Sequence, residues 1–300
     1  MCIRDSPRRL LKPEVLARLG TLDLIARTVV DGVMTGLHRS PNFGFSQEFA
    51  EYRAYNEGDD LRFVDWNVFA RTDRAYIKRF RGETNTTVFV LLDASASMAF
   101  GEPTTKLQQA CYLAASICYI ASRQHDAIGL TVFDEGVRTR HAPSSKPDAL
   151  MQNLALLERT EAGQGTDLIA ALDSLHAGSQ RRGLVILVSD LYADPDEVLS
   201  ALQAQTHSGH DIAVFHVHDQ EEATPAAGKI RALKSLESGN TVVVDPDFLV
   251  GDYTKRFIEH SESLESACRR TGADYVKLMT HEPLDAALHA YLQFRERRGR

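Results

Sequence analysis

The sequence predicts an α/β fold: a mostly parallel sheet with one antiparallel edge strand, flanked by helices. Three observations carry this. From Thr87 onward, strand-like and helix-like stretches alternate to the end of the chain, the order that produces parallel sheets. Two strand candidates, residues 87–92 and 183–189, are almost continuously apolar or β-branched, as strands covered on both faces must be. Both run directly into small oxygen-bearing residues, Asp93-Ala94-Ser95-Ala96-Ser97 and Ser189-Asp190, and in open α/β sheets the carboxyl ends of strands are where ligands bind.

Taken in order, Val15, Leu19, Leu22, Ala26, Val29 and Val33 step by three and four, an amphipathic helix from Pro13 that stops near Gly36. Residues 1–7 match no element. Residues 43–81 hold ten of the 23 aromatics, interleaved with seven basic and seven acidic side chains. Because those charges balance, no positive field results and a nucleic-acid surface is not expected. The stretch reads as an ion-paired subdomain of short strands and turns, with Gly58-Asp59-Asp60 as a turn. Domains are therefore expected at 1–86 and 87–300.

Beyond the first buried strand, Thr105-Lys106-Leu107-Gln108 makes a capping box, opening a helix apolar on most sides through Ser122. Residues 127–133 form the next strand, Asp134-Glu135-Gly136 a tight turn and 137–141 an antiparallel edge partner. A helix covers 149–157. The glycine-flanked run Gly163-Gln164-Gly165-Thr166-Asp167 opens a helix at Leu168, where Thr166 could serve as a plain N-cap. Asp194-Pro195 starts a helix through Leu202 after the second buried strand. Residues 211–217 form another strand, carrying His216 and His218 on one side; without further ligands in register they read as strand histidines and not as a zinc pair. An inserted hairpin is expected at about 229–245, then a helix stopped by Gly272, a strand at 274–279 and a terminal helix at 283–298.

The formal charge of −7 disfavours nucleic acid and anionic membrane as partners. Cys111 and Cys118 lie seven apart on a predicted helix and cannot bridge, so a reducing, cytoplasmic setting is expected. No apolar run approaches the roughly 20 residues that span a bilayer.

Three loops thus offer Asp93, Ser95 and Ser97; Thr166; and Asp190. These are hard oxygen donors, suited to Mg²⁺, Mn²⁺ or Ca²⁺. Two carboxylates neutralise a divalent cation and the hydroxyls add no charge, which leaves the ion electrophilic toward an acidic ligand.

The order Asp-x-Ser-x-Ser, then Thr in a Gly-Thr-Asp loop, then Asp after a strand resembles the metal-ion-dependent adhesion site of the von Willebrand factor A domain over about residues 87–279. The resemblance implies a Rossmann-like sheet in which Ser95, Ser97 and Thr166 contact the metal directly or through water while Asp93 and Asp190 hold its waters. A narrower resemblance covers nearly the whole chain: Arg39-Ser40-Pro41, the run from Glu48 to Tyr55, Gly58-Asp59-Asp60-Leu61-Arg62, Val64-Asp65-Trp66 and Ala70-Arg71 look like domain-of-unknown-function family 58. That family is prokaryotic and is associated with MoxR-type AAA+ ATPases, which implies such an ATPase as partner.

The leading expectation is a non-enzymatic interaction module whose Mg²⁺ docks an acidic side chain of that partner. The alternative is a phosphatase-like hydrolase with Asp93 as nucleophile, against which Ser95 stands where the general acid of haloacid-dehalogenase-type phosphatases would be. No Gly-x-x-x-x-Gly-Lys-Ser/Thr loop is present, so NTP hydrolysis is not expected. A third reading makes the metal structural and the aromatic stretch around Trp66 the working surface.

Overall fold

The structure is a computed structural model that describes residues 21–37, 49–55, 66–72, 74–80, 86–176, 182–224, 232–234, 241–243 and 252–298. The chain divides into two compact units, 1–34 with 85–300 and 35–84. The opening helix up to Met34 therefore counts with the α/β unit and not with the aromatic stretch that follows it.

In the smaller unit, β1 (Phe49–Ala54) pairs antiparallel with β2 (Tyr76–Phe80), with a register shift between Phe49 and Glu51. The residues between include a short helix, α2 (Trp66–Thr72), where short strands and turns were expected. Thr72 closes a local bond from its hydroxyl to the Val68 carbonyl at 2.8 Å, and Ala70 and Arg71 are good helix formers. The expected Gly58-Asp59-Asp60 turn lies outside the described residues.

In the larger unit, α1 (Leu22–Leu37) buries Leu22, Ile25, Ala26, Val29, Val30 and Val33 along one stripe. The Leu22 amide donates to Glu158 Oε1 at 3.0 Å. The part of this helix expected before residue 21 lies outside the described residues.

Six strands form the main sheet in the order β10-β7-β6-β3-β4-β5. They are β3 (Thr87–Asp93), β4 (Ala127–Phe133), β5 (Val137–Ser144), β6 (Leu184–Ser189), β7 (Asp211–His218) and β10 (Asp274–Met279). All pair in parallel except β5, which runs antiparallel to β4 at the edge. That edge was expected to end at His141; it continues to Ser144. From β3 the chain builds outward through β4 and β5, then returns to lay β6 on the other side of β3. The β3/β6 junction is thus a topological switch point, and a crevice opens at the carboxyl ends there.

The alternation along β3 explains its burial on both faces. Phe89 and Leu91 join Val185, Leu187 and Val214 beneath α5 (Leu168–Asp173), α6 (Pro195–His207) and α8 (Thr254–Thr271). Val88, Val90 and Leu92 are also fully buried, each side chain contributing roughly 1.5–3 kcal/mol by leaving water. Helix α3 (Lys106–Arg123) begins with the expected capping box, Thr105 and Gln108 each accepting from the other's backbone amide. α4 (Ala149–Glu158) and the terminal α9 (Asp285–Arg298) complete the helical layers. The α6 helix runs to His207, beyond the Leu202 expected, and a one-turn α7 (Gln220–Ala223) follows β7. A two-stranded hairpin, β8 (Ala232–Lys234) with β9 (Thr241–Val243), lies where the insertion was expected. Among the described residues, no helix is long and apolar enough to cross a membrane.

Candidate functional site

β3 ends on Asp93, and the chain then turns through Ala94 and Ser95 into a 3-10 turn, Ala96–Ala99. A carboxylate at the end of a fully buried strand must be satisfied locally, and it is. Asp93 Oδ1 accepts the Ser95 amide at 2.8 Å, and Oδ2 accepts the hydroxyls of Ser189 at 2.5 Å and Thr166 at 3.4 Å. The Ser95 and Ser97 hydroxyls lie 3.1 Å apart.

The loops that supply these groups are laced together by backbone. Ala96 N donates to Gln164 O at 2.6 Å and Gly163 N to Ala94 O at 2.7 Å, while Asp167 N donates to Asp134 O at 2.6 Å. These bonds bring Thr166 to Asp93. Gly163 is required because a Cβ there would strike the Asp134 carboxylate; Gly165 has room for one. The close approach at Gly163 therefore serves the packing of one loop on another. The cap of α5 also differs from the simplest expectation: Asp167, not Thr166, accepts the Ala170 amide, at 2.9 Å. Thr166 is left to face Asp93.

Asp190 follows β6 and is 2% exposed. Its Oδ2 receives Lys106 Nζ at 2.7 Å and its carbonyl accepts from His216 Nε2 at 2.8 Å, whereas Oδ1 has no hydrogen-bond partner among the described residues. His216 Nδ1 meets the Tyr275 hydroxyl at 2.6 Å, so both of its ring nitrogens are engaged and the zinc-pair alternative loses its first ligand. Leu191, next in the chain, sits buried in the left-handed region at φ 51°, a conformation costly for a residue with a branched side chain and concentrated at functional sites.

Burial and the neighbouring Asp190 charge push the Asp93 carboxyl up to about 6, against the opposing bonds from Ser189 and Ser95. The cause is visible in the charges. Asp190 lies near enough to Asp93 to repel its charge and is itself bonded by the buried ammonium of Lys106, which meets Asp190 and Glu222 at 2.7 Å each. Burial lowers the Lys106 pKa, but the two carboxylates more than offset it and hold the ammonium charged.

This donor set fits a hard divalent cation: hydroxyls at the loop, an excess of carboxylate, and one buried carboxylate oxygen without a donor. Among the described residues, no cluster of three or more His, Cys, Asp or Glu side chains has metal-holding character, so any cation here depends on Ser95, Ser97 and Thr166. Thr166 also lines a cavity of about 180 Å³ with Asp167, Ile169, Tyr192 and Glu197, which gives an incoming group access to Thr166.

Sequence reasoning missed Ser189, Lys106 and Glu222. Lys106 did carry a signal: a cation in the first turn of a helix opposes its dipole, and at the head of an otherwise buried helix it needs carboxylates. Ser189 and Glu222 had no distinguishing pattern.

Known proteins agree with this architecture. An uncharacterized protein of Mycobacterium tuberculosis is 27% identical over 292 residues, 95% of this chain and 91% of its own. The solved structure of the conserved hypothetical protein BatB from Bacteroides thetaiotaomicron covers 71% of this chain and 98% of its own at 19% identity, TM-score 0.50. An aerotolerance-related membrane protein from Bacteroides fragilis gives the same TM-score at 16% identity, over 71% of this chain and 99% of its own. These likenesses concern the fold, which is von Willebrand factor A-like in its sheet order and antiparallel edge. The family described as "Protein of unknown function DUF58" matches residues 51–263, and the chain belongs to that family.

Proposed function

We propose that this protein is a non-enzymatic, metal-dependent interaction module that docks an acidic side chain of a partner, a MoxR-type AAA+ ATPase, in the cytoplasm. The observation that carries the reading is the buried Asp93 carboxylate, bonded by the Ser189 and Thr166 hydroxyls and repelled by the neighbouring buried Asp190, one of whose oxygens has no hydrogen-bond partner among the described residues. Ser95, Ser97 and Thr166 would hold a divalent cation, most simply Mg²⁺, with Asp93 and Asp190 supplying charge directly or through water. When bound, that ion supplies an electrophilic centre for one oxygen of the partner's carboxylate. Tyr192 and Ile169, 38% and 43% exposed beside the cavity, offer apolar contact around such a carboxylate.

The geometry favours docking over hydrolysis. Ser95 is buried and bonded to Ser97, and it cannot protonate a leaving group as an acid would at that place. Cys111, Cys118 and Cys268 are buried and free, and none forms a disulfide among the described residues, as expected of a protein kept in a reducing compartment.

Binding of a purified MoxR-type ATPase should require Mg²⁺, vanish with chelator and vanish for Asp93→Ala. Capture that is equal with and without chelator contradicts the proposal. Turnover in a phosphatase panel with Mg²⁺, lost in Asp93→Ala, would favour the hydrolase instead.

A further inference from the structure

Lys106 is the one group at this site that the docking reading leaves unexplained. Its side chain is 0% exposed, with the Tyr192 and Phe100 rings 4.9 and 5.9 Å from its nitrogen. It stands at the first position of α3, where the helix already contributes positive partial charge. Burying an ammonium there is costly unless the carboxylates it meets gain as much. Those carboxylates are Asp190, through Oδ2, and Glu222 of α7. The other buried acid nearby, Asp219, is engaged by the Thr280 hydroxyl at 2.5 Å and the Glu221 amide at 2.8 Å.

We infer that Lys106 is a positioning and charge-setting residue of the cation site, holding Asp190 by one oxygen so that the other faces the ion, and cancelling one of the negative charges the ion would otherwise meet. The inference rests on the docking reading above. Asp190 and Glu222 set two negative charges against the one positive charge of Lys106, and Asp93 adds a further negative charge beside Asp190. Removing the ammonium adds one net negative charge beside Asp190, and a trivalent ion gains more from that change than a divalent ion of the same size, because Coulomb energy scales with the product of charges. Removing the Glu222 charge instead, with Lys106 kept, shifts the balance the other way.

Ca²⁺ and Tb³⁺ are close in radius and differ in charge, so the ratio of their affinities isolates this effect from loss of packing. Calorimetry at about pH 7.5 on the full chain should give Lys106→Met a preference for Tb³⁺ over Ca²⁺ at least about tenfold above the parent's. Glu222→Gln should move the preference in the opposite direction. Lys106→Met combined with Glu222→Gln restores the parental charge and should restore the parental ratio. If Lys106→Met does not fold, Glu222→Gln and the double variant decide the matter. An unchanged ratio in the variants that fold, with ions still bound, overturns the role of Lys106 and leaves the docking reading standing. If the parent binds neither ion but does bind Mg²⁺, this inference is overturned and the docking reading stands; if it binds none of the three, both fall.

Discussion

Ser189 places its hydroxyl 2.5 Å from Asp93 Oδ2 while its own oxygen accepts the Leu191 amide at 2.9 Å. One side chain thereby ties the end of β3 to the end of β6 and pins the strained residue after Asp190. Ser189→Ala leaves a buried carboxylate oxygen and a backbone amide each short of a partner. A loss of about 1–3 kcal/mol in urea unfolding is expected, together with weaker Mg²⁺ binding. Unchanged stability would mean that the bond is not a structural tie.

Ion-free Asp93 is ionised at the expense of stability, because its pKa stands at about 6 in the fold against an ordinary 3.8. Asp93→Asn removes that burden. At about pH 7.5 with chelator, the variant should be more stable than the parent, by about 1–2 kcal/mol after allowing for an imperfect fit of the amide. Mg²⁺ should raise the melting temperature of the parent and leave that of the variant unchanged.

Acid acts on this unit in two opposing ways. Asp93 binds its proton more tightly folded than unfolded, so its contribution falls as pH rises from about 4 to about 6. His218 is held neutral by burial and nearby cations, its pKa lowered to about 4, so its contribution is present above the ordinary value of 6.5 and is lost as pH falls through that window. The ion-free parent should therefore show a partly compensated pH dependence between about 4 and about 6.5. In Asp93→Asn only the histidine effect of this pair remains, so stability should drop more steeply in acid and the variant's advantage should shrink below about pH 6. An advantage that is constant with pH would contradict the assignment.

Thr166 and Asp167 are adjacent but do different things, and single substitutions separate them. Asp167→Ala removes the cap of α5 and should cost about 1 kcal/mol of stability while Mg²⁺ still binds. Thr166→Val removes a hydroxyl whose contact with Asp93 is long; it should cost under about 0.5 kcal/mol yet weaken Mg²⁺ binding at least about tenfold. The reverse pattern would make Thr166 a structural residue.

Much of this architecture was legible because its signals are local and strong. The unbroken apolar run before Asp93, the capping box at Thr105 and the Asp134-Glu135-Gly136 turn before the edge strand each rest on backbone chemistry within a few residues. The gathering of Asp93, Ser95, Ser97, Thr166 and Asp190 at one end of the sheet follows from α/β topology, which sends the ends of β3 and β6 to the same crevice. What sequence could not show depends on contacts between distant segments. Whether Thr166 or Asp167 caps α5 turns on Asp167 N reaching Asp134 O. The partnership of Lys106 with Glu222 spans 116 residues, so the acids that offset this cation's opposition to the helix dipole lie far from it in the chain. The helix Trp66–Thr72 was missed because its aromatic and β-branched residues have strand propensities that local context overrides.

The central claim is that the carboxylates and hydroxyls meeting at the β3/β6 crevice form a cation site. Titrating Mg²⁺ calorimetrically into chelator-stripped protein at about pH 7.5, above the Asp93 pKa, tests it most directly. The account predicts a saturable isotherm with a single ion per chain for the parent and none for Asp93→Ala. No saturable binding by the parent, or the same isotherm for both proteins, would contradict it.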